Sequence, residues 1–162
     1  MVDEVNNTVL PSSFNPETFL DQTVEAPFET HRTTVPAKDG YLGVISDLGT
    51  QVITTKQGQQ RAVLRLFWEI LDDDLKNQLN LQKVIVRQDL FLDLNEKGLA
   101  WGVNQNVNLG QVRDAVGQNT GSAWSPRMLK GAGPCRLKVS ESIDERNVSI
   151  KYNNVDRVSR LS

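Results

Sequence analysis

Residues 61–70 read RAVLRLFWEI, and their alternation decides the fold class. Every second residue, from Ala62 through Trp68 to Ile70, is apolar, while the positions between them include two arginines and a glutamate. A period of two is the spacing of a β-strand with one buried face, because successive side chains point to opposite faces. We therefore expect a strand with Trp68 in the core. The positions predicted to face outward are Arg61, Val63, Arg65, Phe67 and Glu69.

Residues 83–94, which read KVIVRQDLFLDL, alternate in the same way and predict the longest strand of the chain. Val84, Val86 and Leu90 are predicted to face the core. A turn signal at residues 95–98 ends the strand. The positions predicted to face outward are Lys83, Ile85, Arg87, Asp89, Phe91 and Asp93.

The rest of the chain supplies three more strands and two short helices. Residues 41–53 are rich in β-formers and precede a KQGQ turn at residues 56–59, which predicts a hairpin with residues 61–70. Three aspartates at residues 72–74 begin a short connecting helix. A second helix begins after Asn106 or Asn108 and ends at Gly117. The fourth and fifth strands are predicted at residues 135–140 and 148–161.

This order of three strands, a helix and two strands is that of the OB-fold. That fold is a mainly β, five-stranded Greek-key barrel with a short helix between strands 3 and 4. An open α+β sandwich is the alternative, because periodicity does not give the order of strands in a sheet.

Charge and proline divide the chain in two. The net charge of −2 combines a charge of −5 on residues 1–40, which hold four of the six prolines, with a charge of +3 on residues 41–162. We therefore predict an acidic, proline-containing N-terminal arm (residues 1–40) before a barrel domain (residues 41–162). Phe14, Phe19 and Phe28 lie in the arm. The arm is either an inert leader or a segment that docks on the barrel or on a partner.

Residues that would support an enzyme are sparse. His31 is the only histidine and lies in the arm, and the single Cys135 has no second cysteine with which to bind zinc or form a disulfide. The aspartates at residues 72–74 are typical of helix capping, and the glycines at residues 131–133 precede a strand, whereas a phosphate loop precedes a helix. We expect no enzyme, catalytic residue, cofactor or metal site. No run approaches the roughly 18 apolar residues of a membrane span, and we expect a cytoplasmic protein.

Cations and aromatic rings share the outer face of the second and third strands. Single-stranded nucleic acid binds such surfaces, because arginines neutralise phosphates while bases stack on aromatic rings. Side chains that merely solvate the barrel are the alternative, and Glu69, Asp89 and Asp93 on the same face count against phosphate binding. We predict phosphate contacts by Arg61, Arg65, Lys83 and Arg87, stacking by Phe67 and Phe91, and further contacts by Tyr41, Lys56 and Trp101.

Several short motifs resemble the OB-fold single-stranded DNA-binding proteins of tailed bacteriophages. They are FNPETFL at residues 14–20, the segment from VP at 35–36 to GY at 40–41, LGQVRDAVGQN at 109–119, LKG at 129–131 and YNNV at 152–155.

The resemblance implies a protein that coats single strands during phage DNA replication or recombination in the host cytoplasm. Many such proteins recruit partners through an acidic C-terminal tail, whereas this chain ends RVSRLS and carries its acidic segment at the other end. The arm is therefore the candidate segment for phage or host replication proteins, or a mask for the cationic face. The alternative function is a phage protein-interaction or virion-associated β-barrel without nucleic-acid binding. The sequence leaves open whether the chain forms a homo-oligomer.

Overall fold

The computed structural model describes residues 13–28, 33–95, 104–146 and 151–161. It divides the chain into two compact units, Met1–Thr30 and His31–Ser162, so the division falls ten residues before the predicted boundary between residues 40 and 41. Val35 explains the difference, because its side chain is buried in the core of the second unit. Its N–H donates to Asn153 Oδ1 (2.9 Å), and its carbonyl accepts from Asn153 Nδ2 (2.8 Å).

In the first unit, α1 (Pro16–Leu20) is a single helical turn stabilised from within the segment. Asn15 caps it, because its Oδ1 accepts from the N–H groups of Glu17 (2.9 Å) and Thr18 (3.4 Å). The rings of Phe14 and Phe19 lie 5.9 Å apart, and both side chains are exposed. This turn therefore presents aromatic side chains beside an acidic one.

The described residues of the second unit form five strands, two helices and one short 3-10 turn. Their order is β1 (Lys38–Thr54), β2 (Gln60–Ile70), α2 (Asp73–Leu79), β3 (Ile85–Phe91), α3 (Val107–Ala115), the 3-10 turn (Pro126–Leu129), β4 (Cys135–Ile143) and β5 (Lys151–Ser159).

The signals that begin and end these elements are largely those predicted. Gly58 in the hairpin turn and Gly117 after α3 both have positive φ, at 81° and 77°. Asp72 caps α2 by accepting from the N–H of Leu75 (3.0 Å). Asn106 precedes α3, but its Oδ1 accepts from the N–H of Asp93 (2.9 Å), two residues after the end of β3.

The strands form one sheet in the order β3-β2-β1-β4-β5, with antiparallel neighbours throughout. This order, with α3 between β3 and β4, confirms the predicted OB-type, mainly β architecture. β3 and β5 approach one another at the two ends of the sheet, but no ladder joins them within the described residues. The barrel is therefore open along this seam.

The core lies on the face of the sheet that the alternation predicts. Leu64, Leu66, Trp68 and Ile70 of β2 are buried, as are the inward residues of the other strands and of α3. Trp68 remains satisfied there because its indole N–H donates to Gln88 Oε1 (2.9 Å). The other large contributors are Ile45, Val84, Val86, Leu90, Leu109, Val112, Leu129, Leu137 and Val139.

β1 reaches both halves of the barrel because its pairing changes along its length. Residues 38–43 pair with β4, and residues 43–54 pair with β2. Irregularities at Asp39–Tyr41 and at Ile45–Asp47 bend the strand between these pairings. Gly43 takes part in both ladders, and a Cβ there would lie 2.5 Å from Leu137 Cδ1. Only glycine lets the two strands approach so closely.

Candidate nucleic-acid interface

The β2–β3 face, which we define as the outer surface of these two strands, brings together five of the predicted site residues. Directly opposed residues in an antiparallel pair lie on the same face. Phe67 opposes Arg87 in the ladder, Arg65 opposes Asp89, and Val63 opposes Phe91. The predicted side-chain orientations are therefore confirmed for the members of this set, which are Arg61, Arg65, Phe67, Arg87 and Phe91.

Phe91 is the most accessible aromatic side chain of this face, with 47 % of its surface exposed. The guanidinium carbon of Arg61 lies 5.2 Å from its ring centroid, within the range of a cation–π contact. Arg61 also lies near a carboxylate, since its Nη2 is 3.7 Å from Asp93 Oδ1. A ring flanked by a cation is a suitable site for a stacked base and its phosphate.

Arg65 is held more tightly than the sequence indicates. Its Nε and Nη2 donate to the two oxygens of Asp89 at 2.8 and 3.0 Å, and its side chain is 15 % exposed. The same carboxylate lies 3.6 Å from Nε of Arg87, whose side chain is 53 % exposed. Asp89 thus positions two arginines, and Arg87 is the more exposed of the two.

Val63 is fully buried although it lies on the outer face. It is not part of the core cluster, and its cross-strand neighbours are Gln51 and Phe91. Phe67, four residues along the same face, is half-buried. The β2–β3 face therefore has an apolar floor, with arginines and aspartates around it.

The C-terminal half of β1 extends this face, which the alternation within β2 and β3 does not predict. Ile53 opposes Arg61, Gln51 opposes Val63, and Gly49 opposes Arg65. The position of the predicted hairpin turn implies this extension, because a turn centred on residue 57 fixes which residues of β1 and β2 oppose one another. The face is therefore three strands wide.

The structure places three of the other four predicted DNA contacts in different environments. Lys56, in the hairpin turn, and Lys83, before β3, are exposed and have no ion-pair partner among the residues described. Tyr41 does not lie on the β2–β3 face: its ring is buried in the core and its hydroxyl donates to the carbonyl of Pro36 (2.7 Å). Its place after the bulge at Asp39 turns it inward, so the structure does not place Tyr41, a predicted DNA contact, on this face. Trp101 lies outside the described residues.

Trp124, to which the sequence assigns no role, organises the loop after α3. The guanidinium carbon of Arg113 lies 4.1 Å from its ring centroid, and its indole N–H donates to Gln118 Oε1 (2.8 Å). Gln118 Nε2 in turn donates to the carbonyl of Met128 (2.8 Å). These contacts tie the helix to the 3-10 turn, which accounts for Trp124 as a structural residue.

Three further features of the described residues concern metal ligands, the single thiol and the helices. No group of three or more His, Cys, Asp or Glu side chains within it is arranged to hold a metal ion. Cys135 is buried, and burial raises the pKa of its thiol to about 12, so it remains protonated. None of the helices in the described ranges is long and apolar enough to cross a membrane.

Neither a scan of protein-family models nor a search of curated proteins finds a match for this chain.

Proposed function

We propose that this protein binds single-stranded DNA on the β2–β3 face with little sequence preference, and that it coats single strands during phage DNA replication or recombination. One observation carries the proposal: Phe67 and Phe91 share this face of an OB-type sheet with three arginines. The outer surface of strands 2 and 3 is where OB-folds bind oligonucleotides. Aromatic stacking reads no sequence, because every base has a π-face.

The positively charged side chains of this face have two proposed roles: some bind DNA phosphates and one stabilises the sheet. Arg61 and Arg87 belong to long, partly exposed ion pairs, at 3.7 and 3.6 Å, that contribute little free energy. A DNA phosphate competes readily with the carboxylates for these two arginines. Lys83 and Lys56 add positive charge at the ends of the face. Arg65 remains hydrogen-bonded to Asp89 and stabilises the sheet. We expect phosphate contacts by Arg61, Lys83 and Arg87 and stacking by Phe91 and Phe67.

The N-terminal arm is the proposed segment for partner recruitment. In the described part of it, Phe14 before α1 and Phe19 and Leu20 within α1 have exposed side chains, next to Glu17 and Asp21. Its helical turn forms through its own cap, so a partner meets an ordered motif. Phage or host replication proteins with an apolar, basic groove are the class that this motif fits.

A protein ligand for the β2–β3 face is the second candidate function. The observation that favours it is the charge balance, because Glu69, Asp89 and Asp93 offset the three arginines. A nearly neutral face with an exposed aromatic ring suits a protein interface as well as a DNA strand. The two candidates differ in their response to salt.

The experiment is a titration of labelled oligo-dT with the full chain at several salt concentrations. Three phosphate contacts give a slope of log K against log salt of about −2. Phe91→Ala should weaken binding by about 1–3 kcal/mol, which is about 5- to 150-fold in Kd, through the loss of one stacked base.

Tyr152→Ala is the matched control, because Tyr152 is an equally exposed aromatic residue (47 %) on β5, the strand at the opposite end of the sheet order from β3. We expect that variant to bind like the parent. Absence of oligo-dT binding at low salt, with a folded protein, rejects DNA binding and leaves the protein-interaction candidate.

A further inference from the structure

The edge of β1 that faces away from β2 is paired along only part of its length. Residues 38–43 pair with β4. Ile45 then exchanges two hydrogen bonds with residues 131–132, its N–H donating at 3.0 Å and its carbonyl accepting at 2.6 Å. The N–H of Leu48 donates to Asp47 Oδ1 (2.9 Å). Beyond Leu48, this edge has no hydrogen-bond partner within the described residues.

The hairpin turn shows which backbone groups face the open edge. The N–H of Thr55 donates to the carbonyl of Gln59 (2.8 Å), so Thr55 faces β2. Antiparallel strands direct the N–H and C=O of alternate residues to opposite sides. The N–H and C=O groups of Thr50, Val52 and Thr54 therefore point away from the sheet.

This edge lacks the devices that normally prevent strands from pairing between molecules. Residues 48–55 read LGTQVITT, with no charge and no proline, and Val52 is 68 % exposed. Natural proteins protect open edges with charged residues, prolines or bulges. The other two open edges of this sheet are protected in this way, since β3 carries Arg87 and Asp89, and β5 carries Lys151, Asp156 and Arg157.

We propose that two copies of this chain form a dimer by antiparallel pairing of their β1 edges around a two-fold axis at Val52. In this register Val52 opposes Val52 of the second copy, and Thr50 opposes Thr54. The three edge-facing residues of each copy then exchange six hydrogen bonds. A two-fold contact of this kind uses the same edge of both copies, so it closes at two and leaves no unprotected edge to propagate.

Side-chain chemistry agrees with this register. Val opposite Val and Thr opposite Thr are favourable cross-strand pairs, and no like charges meet. The two-fold axis of an antiparallel pair is perpendicular to the sheet, so the outer faces of both hairpins lie on one side. The dimer does not depend on DNA binding, but it would join two β2–β3 faces into one longer surface.

Sedimentation of the full chain tests the dimer. We expect a species of twice the 18.1 kDa chain mass, and a Val52→Lys variant that sediments as a folded monomer because two like charges meet at the axis. Gln60→Lys is the matched control: it places the same charge on the exposed end of β2 in the same hairpin, and it should remain dimeric. A monomeric parent protein, or a dimeric Val52→Lys variant, overturns the proposal.

Mixing and cross-linking test the register itself. A mixture of Val52→Lys and Val52→Glu should restore a dimer, because only a self-opposed position pairs the two charges. Val52→Cys should form a disulfide-linked dimer on oxidation, because directly opposed Cα atoms lie about 5.5 Å apart. The native Cys135 is buried and does not interfere. Gln60→Cys should stay unlinked, and equal cross-linking of both variants would refute the register.

Discussion

Asp89 determines how much positive charge the β2–β3 face presents. It accepts two hydrogen bonds from Arg65 and lies 3.6 Å from Arg87. Because the Arg65 side chain is largely buried, the pair acts as a structural clamp, and its charges cancel locally. The same carboxylate thus stabilises the sheet and opposes the binding of DNA phosphates. A substitution of Asp89 should therefore change stability and DNA affinity in opposite directions.

Asp89→Asn should lower stability and raise DNA affinity together. The free energy of unfolding should fall by about 1–2 kcal/mol, because hydrogen bonds to a charged group are replaced by weaker ones. Oligo-dT binding should tighten and the salt slope should steepen by about 0.7, since one more arginine is free for a phosphate. Asp73→Asn is the control, because it removes the same charge from a side chain that is 96 % exposed on α2: it should lower stability by less than Asp89→Asn does and leave DNA affinity unchanged. Weaker DNA binding by Asp89→Asn would contradict the proposed site.

Because Cys135 is buried, we expect the folded protein to lose stability at alkaline pH. The thiol has an ordinary pKa of 9.0 and burial raises it to about 12, so the folded state keeps the proton while the unfolded state loses it above pH 9.0. Unfolding is therefore favoured as pH rises through this interval. Between about pH 8 and 10 the thiol should cost about 1.4 kcal/mol of unfolding free energy. Denaturant titrations should show a fall smaller by this amount for Cys135→Ala, and identical slopes would reject the assignment.

At the scale of elements, β1 is the strand that connects the two halves of the barrel. It forms a ladder with β4 and then with β2, and the change occurs at Gly43. A side chain at this position meets Leu137 and, at 3.3 Å, Trp68. Both neighbours are fully buried and have little room to move. The strand crossing therefore depends on one glycine.

Gly43→Ala should destabilise the protein by about 1–3 kcal/mol, the usual cost of overpacking a core. Gly49→Ala on the same strand is the matched control, because a Cβ there meets nothing within 4 Å. Thermal or denaturant unfolding measures both variants. Equal stability of the two would show that the sheet shifts freely at the crossing.

The elements themselves were predictable to a large extent. The alternation in residues 61–70 and 83–94 assigned the buried faces of β2 and β3 correctly, and the KQGQ turn located the hairpin. The prediction that residues 83–94 form the longest strand is wrong, because β3 has 7 residues and β1 has 17. The alternation does not predict the burial of two side chains. Val63 is buried although it lies on the outer face, and Tyr41 is turned into the core. Neither outcome is local, because each depends on a neighbouring strand or on a bulge.

At the scale of the whole molecule, the boundary between the two units decides which part of the chain folds as the barrel. Residues 1–30 carry six acids and no base, which leaves a net charge of +4 on residues 31–162. The predicted boundary at residue 40 would remove Val35 and the start of β1 from the barrel. The structure therefore gives a different truncation point from the sequence.

A chain that begins at His31 should unfold at the same temperature as the full chain and bind oligo-dT more tightly at low salt, since it lacks six negative charges. A chain that begins at Tyr41 should be less stable by at least about 1.5–3 kcal/mol, the contribution of one buried valine. Calorimetry and the same DNA titration measure both. Equal melting temperatures of the two truncated chains would show that residues 33–40 contribute nothing to the fold.

The sequence by itself determined the strands, their buried faces, the cap of α2 and the clustering of cations and aromatic rings on β2 and β3. These properties follow from periodicity and from residue types a few positions apart. Only the tertiary structure decided that Asp89 engages Arg65 and Arg87, that Tyr41 is buried, and that β1 has an unprotected edge at Val52. Those facts depend on strand register, bulges and the order of strands in the sheet, which bring together residues that the chain holds far apart.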